Sequence, residues 1–156
     1  MPPRKLRNPF DRVHGPAFCE SCGHRPPPGE YLDIHHIVPL KFWKFFSFTA
    51  QEKYNYLVRV CKRCHGQAEH HLNAVYKHEM QKLHKELQQY YAQATNLAKS
   101  SHLDVLAAAE QAKRKVRDLM DQWRKDWLKR QGTREQCKAI FLAAFKKIQP
   151  RYFVRF

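Results

Sequence analysis

The sequence predicts an α+β protein: a small, metal-stapled module near its start, followed by a mostly α-helical extension of two long helices and a shorter one. Three observations lead there. All but one of the prolines, all but one of the glycines and four of the five cysteines fall within residues 1–70, the composition of a loop-rich unit. Residues 71–149 hold no proline and a single glycine, Gly132, and carry apolar residues at helical spacing. Four cysteines come as two C-x-x-C pairs, Cys19 with Cys22 and Cys61 with Cys64, leaving Cys137 alone. The expected organisation is a basic arm (1–17), the stapled module (18–72), a helical extension (73–149) and a tail (150–156).

The arm carries Arg4, Lys5 and Arg7 but no apolar segment of the kind that follows the charges in a signal peptide. No apolar run approaches the ~18–20 residues of a membrane-spanning helix. An intracellular protein of the cytoplasm or nucleoid is therefore expected, with its thiols reduced rather than in disulfides. Four thiolates in two tight knuckles are the ligand set of a tetrahedral structural Zn²⁺, with Zn–S bonds of about 2.3 Å. A closed site of that kind has no open coordination position, so any chemistry lies in what the staple brings together.

Between the knuckles, YLDIHHIVPL reads as a strand ended by Pro39, and after the second knuckle His65 opens a helical run, GQAEHH. Closing the zinc site brings His35 and His36 into the same small unit as His65. On that helix Glu69 stands four residues after His65 and shares its face. The intervening stretch KFWKFFSFTAQEKYN alternates Lys41 and Lys44 with Phe42, Trp43, Phe45, Phe46 and Phe48. So many aromatics are costly to expose, which favours a short helix packing them against the C-terminal helices. The rival is a DNA-contacting element with Lys41 and Lys44 on phosphates.

The first long helix is expected from about Arg63–His65 to about Lys99. Its apolar positions Tyr76, Met80, Leu83, Leu87, Tyr90, Ala94 and Leu97 form a heptad-like seam. Ser101 with Asp104 resembles a capping box, opening a second helix with Leu103, Leu106, Val116, Leu119, Met120, Trp123 and Trp127. Gly132 is placed to end it, and Thr133 with Gln136 to cap a third helix, Arg134 to Gln149, stopped by Pro150. The stripes suit the facing surfaces of a helical hairpin or three-helix packing, while a homodimer through the seam is the weaker alternative. Cys137, among Ala and Ile, reads as a small buried residue.

A formal net charge of +15 on 156 residues suits a polyanionic partner, of which nucleic acid is the commonest. The arm residues and the run Lys113, Arg114, Lys115 with Arg117 are the expected phosphate contacts. DNA is the preferred partner, RNA stays open, and a membrane surface is not expected.

A C-x-x-C, then a strand ending His-Ile-apolar-Pro, then C-x-x-C-H resembles the zinc-stapled branch of the HNH endonucleases. The residues concerned are Cys19, Cys22, His35-His36-Ile37-Val38-Pro39, Leu57, Cys61, Cys64 and His65, within about residues 18–72. The resemblance implies a ββα-metal fold, a β-hairpin and helix around one catalytic divalent ion such as Mg²⁺ or Mn²⁺, hydrolysing DNA phosphodiester bonds. It implies that His36 is the general base, that His35 and His65 are metal ligands, and that the four cysteines hold structural zinc. Chemistry agrees, because a neutral imidazole near its ordinary pKa of ~6.5 can take a proton from water at neutral pH. The family's middle Asn is displaced: Tyr56 occupies its position and Asn55 precedes it. Asn55 restored by a bulge or loop is preferred, since the lengthened stretch leaves its register unconstrained. A Tyr56 hydroxyl substitute and an impaired site are the alternatives. An impaired site would make the chain a non-catalytic, zinc-containing nucleic-acid-binding protein.

Overall fold

A computed structural model of the chain describes residues 17–97, 99 and 102–156. Arg4, Lys5, Arg7 and Ser101 lie outside them. In chain order the elements are β1 (Asp33–His36), a 3-10 segment (Leu40–Phe45), α1 (Ala50–Asn55), β2 (Leu57–Val60), α2 (Lys62–Leu97), α3 (Leu103–Gln131) and α4 (Arg134–Lys146). Mostly helical, with one two-stranded sheet among the described residues, the chain is α+β. It divides into two compact units: Met1–Val75 with Lys138–Phe156, and Tyr76–Cys137. Most of α4, which the sequence places inside the helical extension, and the tail after it thus belong to the first unit.

In that unit β1 and β2 pair antiparallel, Asp33 opposite Val60 and His36 opposite Leu57. The strand is shorter than the apolar run suggests. After His36 the Ile37 N–H still donates to the Tyr56 carbonyl at 2.9 Å, and then Pro39 turns the chain into the 3-10 segment. The aromatic stretch is core, as its composition favours. Phe42, Phe46 and Phe48 are buried, with Phe42 against Phe141 of α4 at 5.2 Å between ring centroids. α1 is unanticipated. It is opened by a capping box in which Glu52 N–H donates to Thr49 Oγ1 and Thr49 N–H donates to Glu52. Glu52 also accepts from the buried Lys138 at 3.0 Å, tying α1 to α4. Ala68 and Leu72 of α2, one helical turn apart, complete the buried set with Ile37, Val58, Val60 and Phe145.

The tail, unassigned in sequence, is stitched to the first knuckle. Arg151 N–H donates to the Ser21 carbonyl and Tyr152 N–H to that of Glu20, each at 3.0 Å. Phe153 is buried against Phe145. The Arg155 guanidinium reaches both oxygens of buried Glu20, at 2.8 and 3.3 Å, and the Leu57 carbonyl at 2.6 Å. Glu20 in turn accepts from Arg59 N–H at 2.8 Å. An ion pair this enclosed holds its geometry because removing either partner strands a charge away from water.

The second unit is built on the seam. Leu83 and Leu87 of α2 pack with Val116 of α3, flanked by Met80, Tyr90, Leu119, Met120 and Trp123. Tyr76 adds edge contacts to Trp123 and Trp127. The heptad-like stripe is thereby covered within the chain. α3 starts after His102, which gives no side-chain cap, and closes at Gly132, whose φ of 115° lies where a side chain is disfavoured. The expected box forms next: Gln136 N–H donates to Thr133 Oγ1 and Thr133 N–H to Gln136 Oε1, at 3.2 and 2.7 Å. α4 ends at Lys146 rather than Gln149, its last residues tightening into i→i+3 turns before Pro150. Cys137 is buried, its thiol donating to the Leu128 carbonyl.

Candidate functional site

The four knuckle sulfurs converge within 4.8 Å of one another. Cys22 N–H points at Cys19 Sγ from 3.5 Å, the tight turn a knuckle needs, and Cys22 Sγ stands 3.8 Å from Cys61 Sγ. The second knuckle is the first turn of α2, where His65 N–H donates to the Cys61 carbonyl. Burial pushes the Cys64 thiol up to about 12, and the neighbouring sulfurs of Cys61, Cys22 and Cys19 add to the rise. For Cys19 burial is also the largest influence, yet N–H groups of Cys22, Cys61 and Ser21 outweigh it and bring the thiol down to about 7. Four thiolates this close repel unless a cation sits among them. An all-sulfur donor set of this kind can hold a structural metal such as zinc.

A second cluster lies between β1 and the start of α2. Alternation along β1 puts Asp33 and His35 on one face and His36 on the other. His35, 1% exposed, stacks on Phe145 at 5.6 Å and meets the His65 ring edge-on at 5.4 Å. Its Nδ1 is 3.3 Å from Glu69 Oε1, but the approach does not make a hydrogen bond, so this buried nitrogen has no hydrogen-bond partner. His65 offers Nε2 to the same oxygen at 3.5 Å, while its Nδ1 stands 3.1 Å from Asp33 Oδ2. A carboxylate can only accept, so the Nδ1 proton points at Asp33, and Nε2, which also faces a carboxylate, can turn a lone pair that way only toward a cation held between it and Glu69. The donor atoms of His35, His65 and Glu69 lie within 4.8 Å of one another, a group that could hold a metal ion, and such an ion would give the orphaned Nδ1 a partner. Burial, then the charges of His65 and His36, pulls the His35 pKa down to about 4, so its ring is neutral, the form that ligates.

His36 is half-buried, and burial followed by the His65 charge lowers its pKa, leaving it neutral at neutral pH. Trp43 packs edge-on against its ring at 5.3 Å, and Trp43 is itself fixed by donating Nε1–H to the Val38 carbonyl at 2.7 Å. The side-chain oxygen of Asn55 accepts from Gln51, one turn earlier in α1, at 3.0 Å. The Tyr56 ring is buried between Phe48 and Phe156, and its carbonyl receives Ile37 N–H.

The expected phosphate contacts that are described fall in both units. Lys41 and Lys44 are exposed in the first unit, Lys44 lying 5.4 Å from the Phe45 ring centroid. Lys113, Arg114, Lys115 and Arg117 are exposed on α3 in the second unit, where Lys113 is paired with Glu110. The sequence reading missed Asp33 and Trp43. Asp33 had a legible signal, its spacing of two residues from His35 on a strand, whereas nothing in the aromatic stretch singles out Trp43. No family model, curated protein or solved structure matches this chain.

Proposed function

We propose that the chain is a metal-dependent nuclease that hydrolyses DNA phosphodiester bonds in the manner of HNH endonucleases. The observation that carries this reading is the convergence of His35, His65 and Glu69 around a buried, unpartnered imidazole nitrogen, with His36 next in the strand. The staple, the hairpin and the opening of α2 supply the frame, and most of the net +15 charge falls in the first unit. When bound, a divalent cation supplies Lewis-acid polarisation of the scissile phosphate and stabilises the departing oxygen. Neutral His36 takes the proton from the attacking water, and Trp43 limits the swing of its ring. Asp33 holds the His65 tautomer that presents Nε2. Two imidazoles with one carboxylate suit Mn²⁺ or a later first-row ion better than Mg²⁺, which prefers oxygen. One such site per chain cuts one strand per encounter.

The test is nicking of supercoiled plasmid by the zinc-loaded protein with Mn²⁺ or Mg²⁺. His36→Ala is expected to lose at least ~100-fold in rate, the contribution of a general base, while still binding Mn²⁺. Cleavage that persists unchanged in that variant ends the catalytic assignment. A second reading, a zinc-containing nucleic-acid-binding protein without catalysis, draws on Asn55 being engaged with Gln51. Gel retardation without nicking under any of these ions would favour it.

A further inference from the structure

Gly66 follows His65 directly, on an exposed stretch of α2, with helical backbone. A Cβ built there meets nothing within 4 Å, so nothing packed around it in the fold requires glycine at this position. Glycine inside a helix is nevertheless less stable than almost any alternative. Lys62 and Arg63, four and three residues earlier, share its helix face and are exposed. Neither makes an ion pair with any described residue. The first turn of α2 carries no Asp or Glu, so Lys62 and Arg63 have no carboxylate beside them at the helix end that favours anions, and the knuckle sulfurs of Cys61 and Cys64 are committed to the four-cysteine cluster. Two unpaired cations against the helix dipole and a bare glycine are each unfavourable for the isolated helix. They lie together beside a half-open cluster whose buried His35 Nδ1, 3.3 Å from Glu69, lacks a hydrogen-bond partner.

We propose that Lys62, Arg63 and Gly66 form the seat on which one phosphodiester backbone of duplex DNA lies as it enters the His35–His65–Glu69 cluster. This rests on the nuclease reading above. The cations contact flanking phosphates, and the missing side chain lets the sugar-phosphate chain come against the helix backbone next to His65.

The experiment uses the full chain with zinc bound and duplex DNA in Ca²⁺, followed by anisotropy across a salt series. Lys62→Gln and Arg63→Gln are each expected to lower the slope of log K against log salt by about 1. Gly66→Leu is expected to keep its zinc, its Mn²⁺ affinity and a Tm within about 2–4 °C of wild type. In Mn²⁺ it should cleave at least roughly tenfold more slowly, as expected for a displaced substrate. Wild-type slopes in both glutamine variants, or wild-type DNA affinity and cleavage in Gly66→Leu, overturn the seat and leave the nuclease reading standing. A wild-type protein that binds no duplex overturns both.

Discussion

His65 works through two ring nitrogens with different neighbours, and that division makes Asp33 testable at the scale of one residue. Asp33 touches Nδ1 and Glu69 faces Nε2, on opposite sides of the ring, so Asp33 orients the imidazole without competing for the position in front of it. Asp33→Ala is expected to weaken Mn²⁺ binding about 10–100-fold by calorimetric titration, with Asp33→Asn between it and wild type. Zinc content should be unchanged in both. Trp43 stands in a similar relation to His36. Trp43→Leu keeps apolar bulk but loses the Nε1–H bond to Val38, and slower plasmid nicking with wild-type Mn²⁺ affinity is the expected outcome. Unchanged nicking would show that the ring does not position the base.

Among the elements, those set by local chemistry could be read from the sequence. Thr133 and Gln136 cap α4 because the two groups are three residues apart, and Gly132 ends α3 because its backbone enters the left-handed region. Gly132→Ala is accordingly expected to destabilise the protein by about 1 kcal/mol or more in urea titration, against the usual gain from replacing glycine. The cysteine pairs were legible for the same reason, since a knuckle is a local turn with fixed spacing. What escaped was non-local. Asp33 acquires its role only when β1 is laid beside the first turn of α2. The Thr49–Glu52 box is local and present in the sequence, but it follows directly on a run of aromatics whose burial, not capping, dominates that stretch. Asn55 and Tyr56 show the remaining limit, because a one-residue offset has meaning only once the backbone is known to be helix up to Asn55 and strand from Leu57.

For the molecule as a whole, the four-cysteine cluster and the last residues act on one structure. Glu20 lies inside the first knuckle, and its carboxylate is held by Arg155 while its backbone carbonyl is held by Tyr152. Arg155→Ala strands that buried carboxylate and is expected to cost roughly 3–5 kcal/mol, read as a shift of the chemical-denaturation midpoint. The same variant should release zinc to a chelator faster than wild type. Thiol titration provides a separate check: four sulfhydryls should become reactive on zinc removal, and Cys137 only on full unfolding, because it is buried and its thiol pKa is raised by that burial. The stitching of residues 151–155 to Glu20 and Ser21 also fixes an order of events during synthesis. Both knuckles and every residue of the proposed catalytic cluster leave the ribosome long before Phe141, Phe145, Phe153 and Arg155, which close the module around them. A nascent or prematurely terminated chain would therefore carry the histidines of the proposed site without the clasp that sets them.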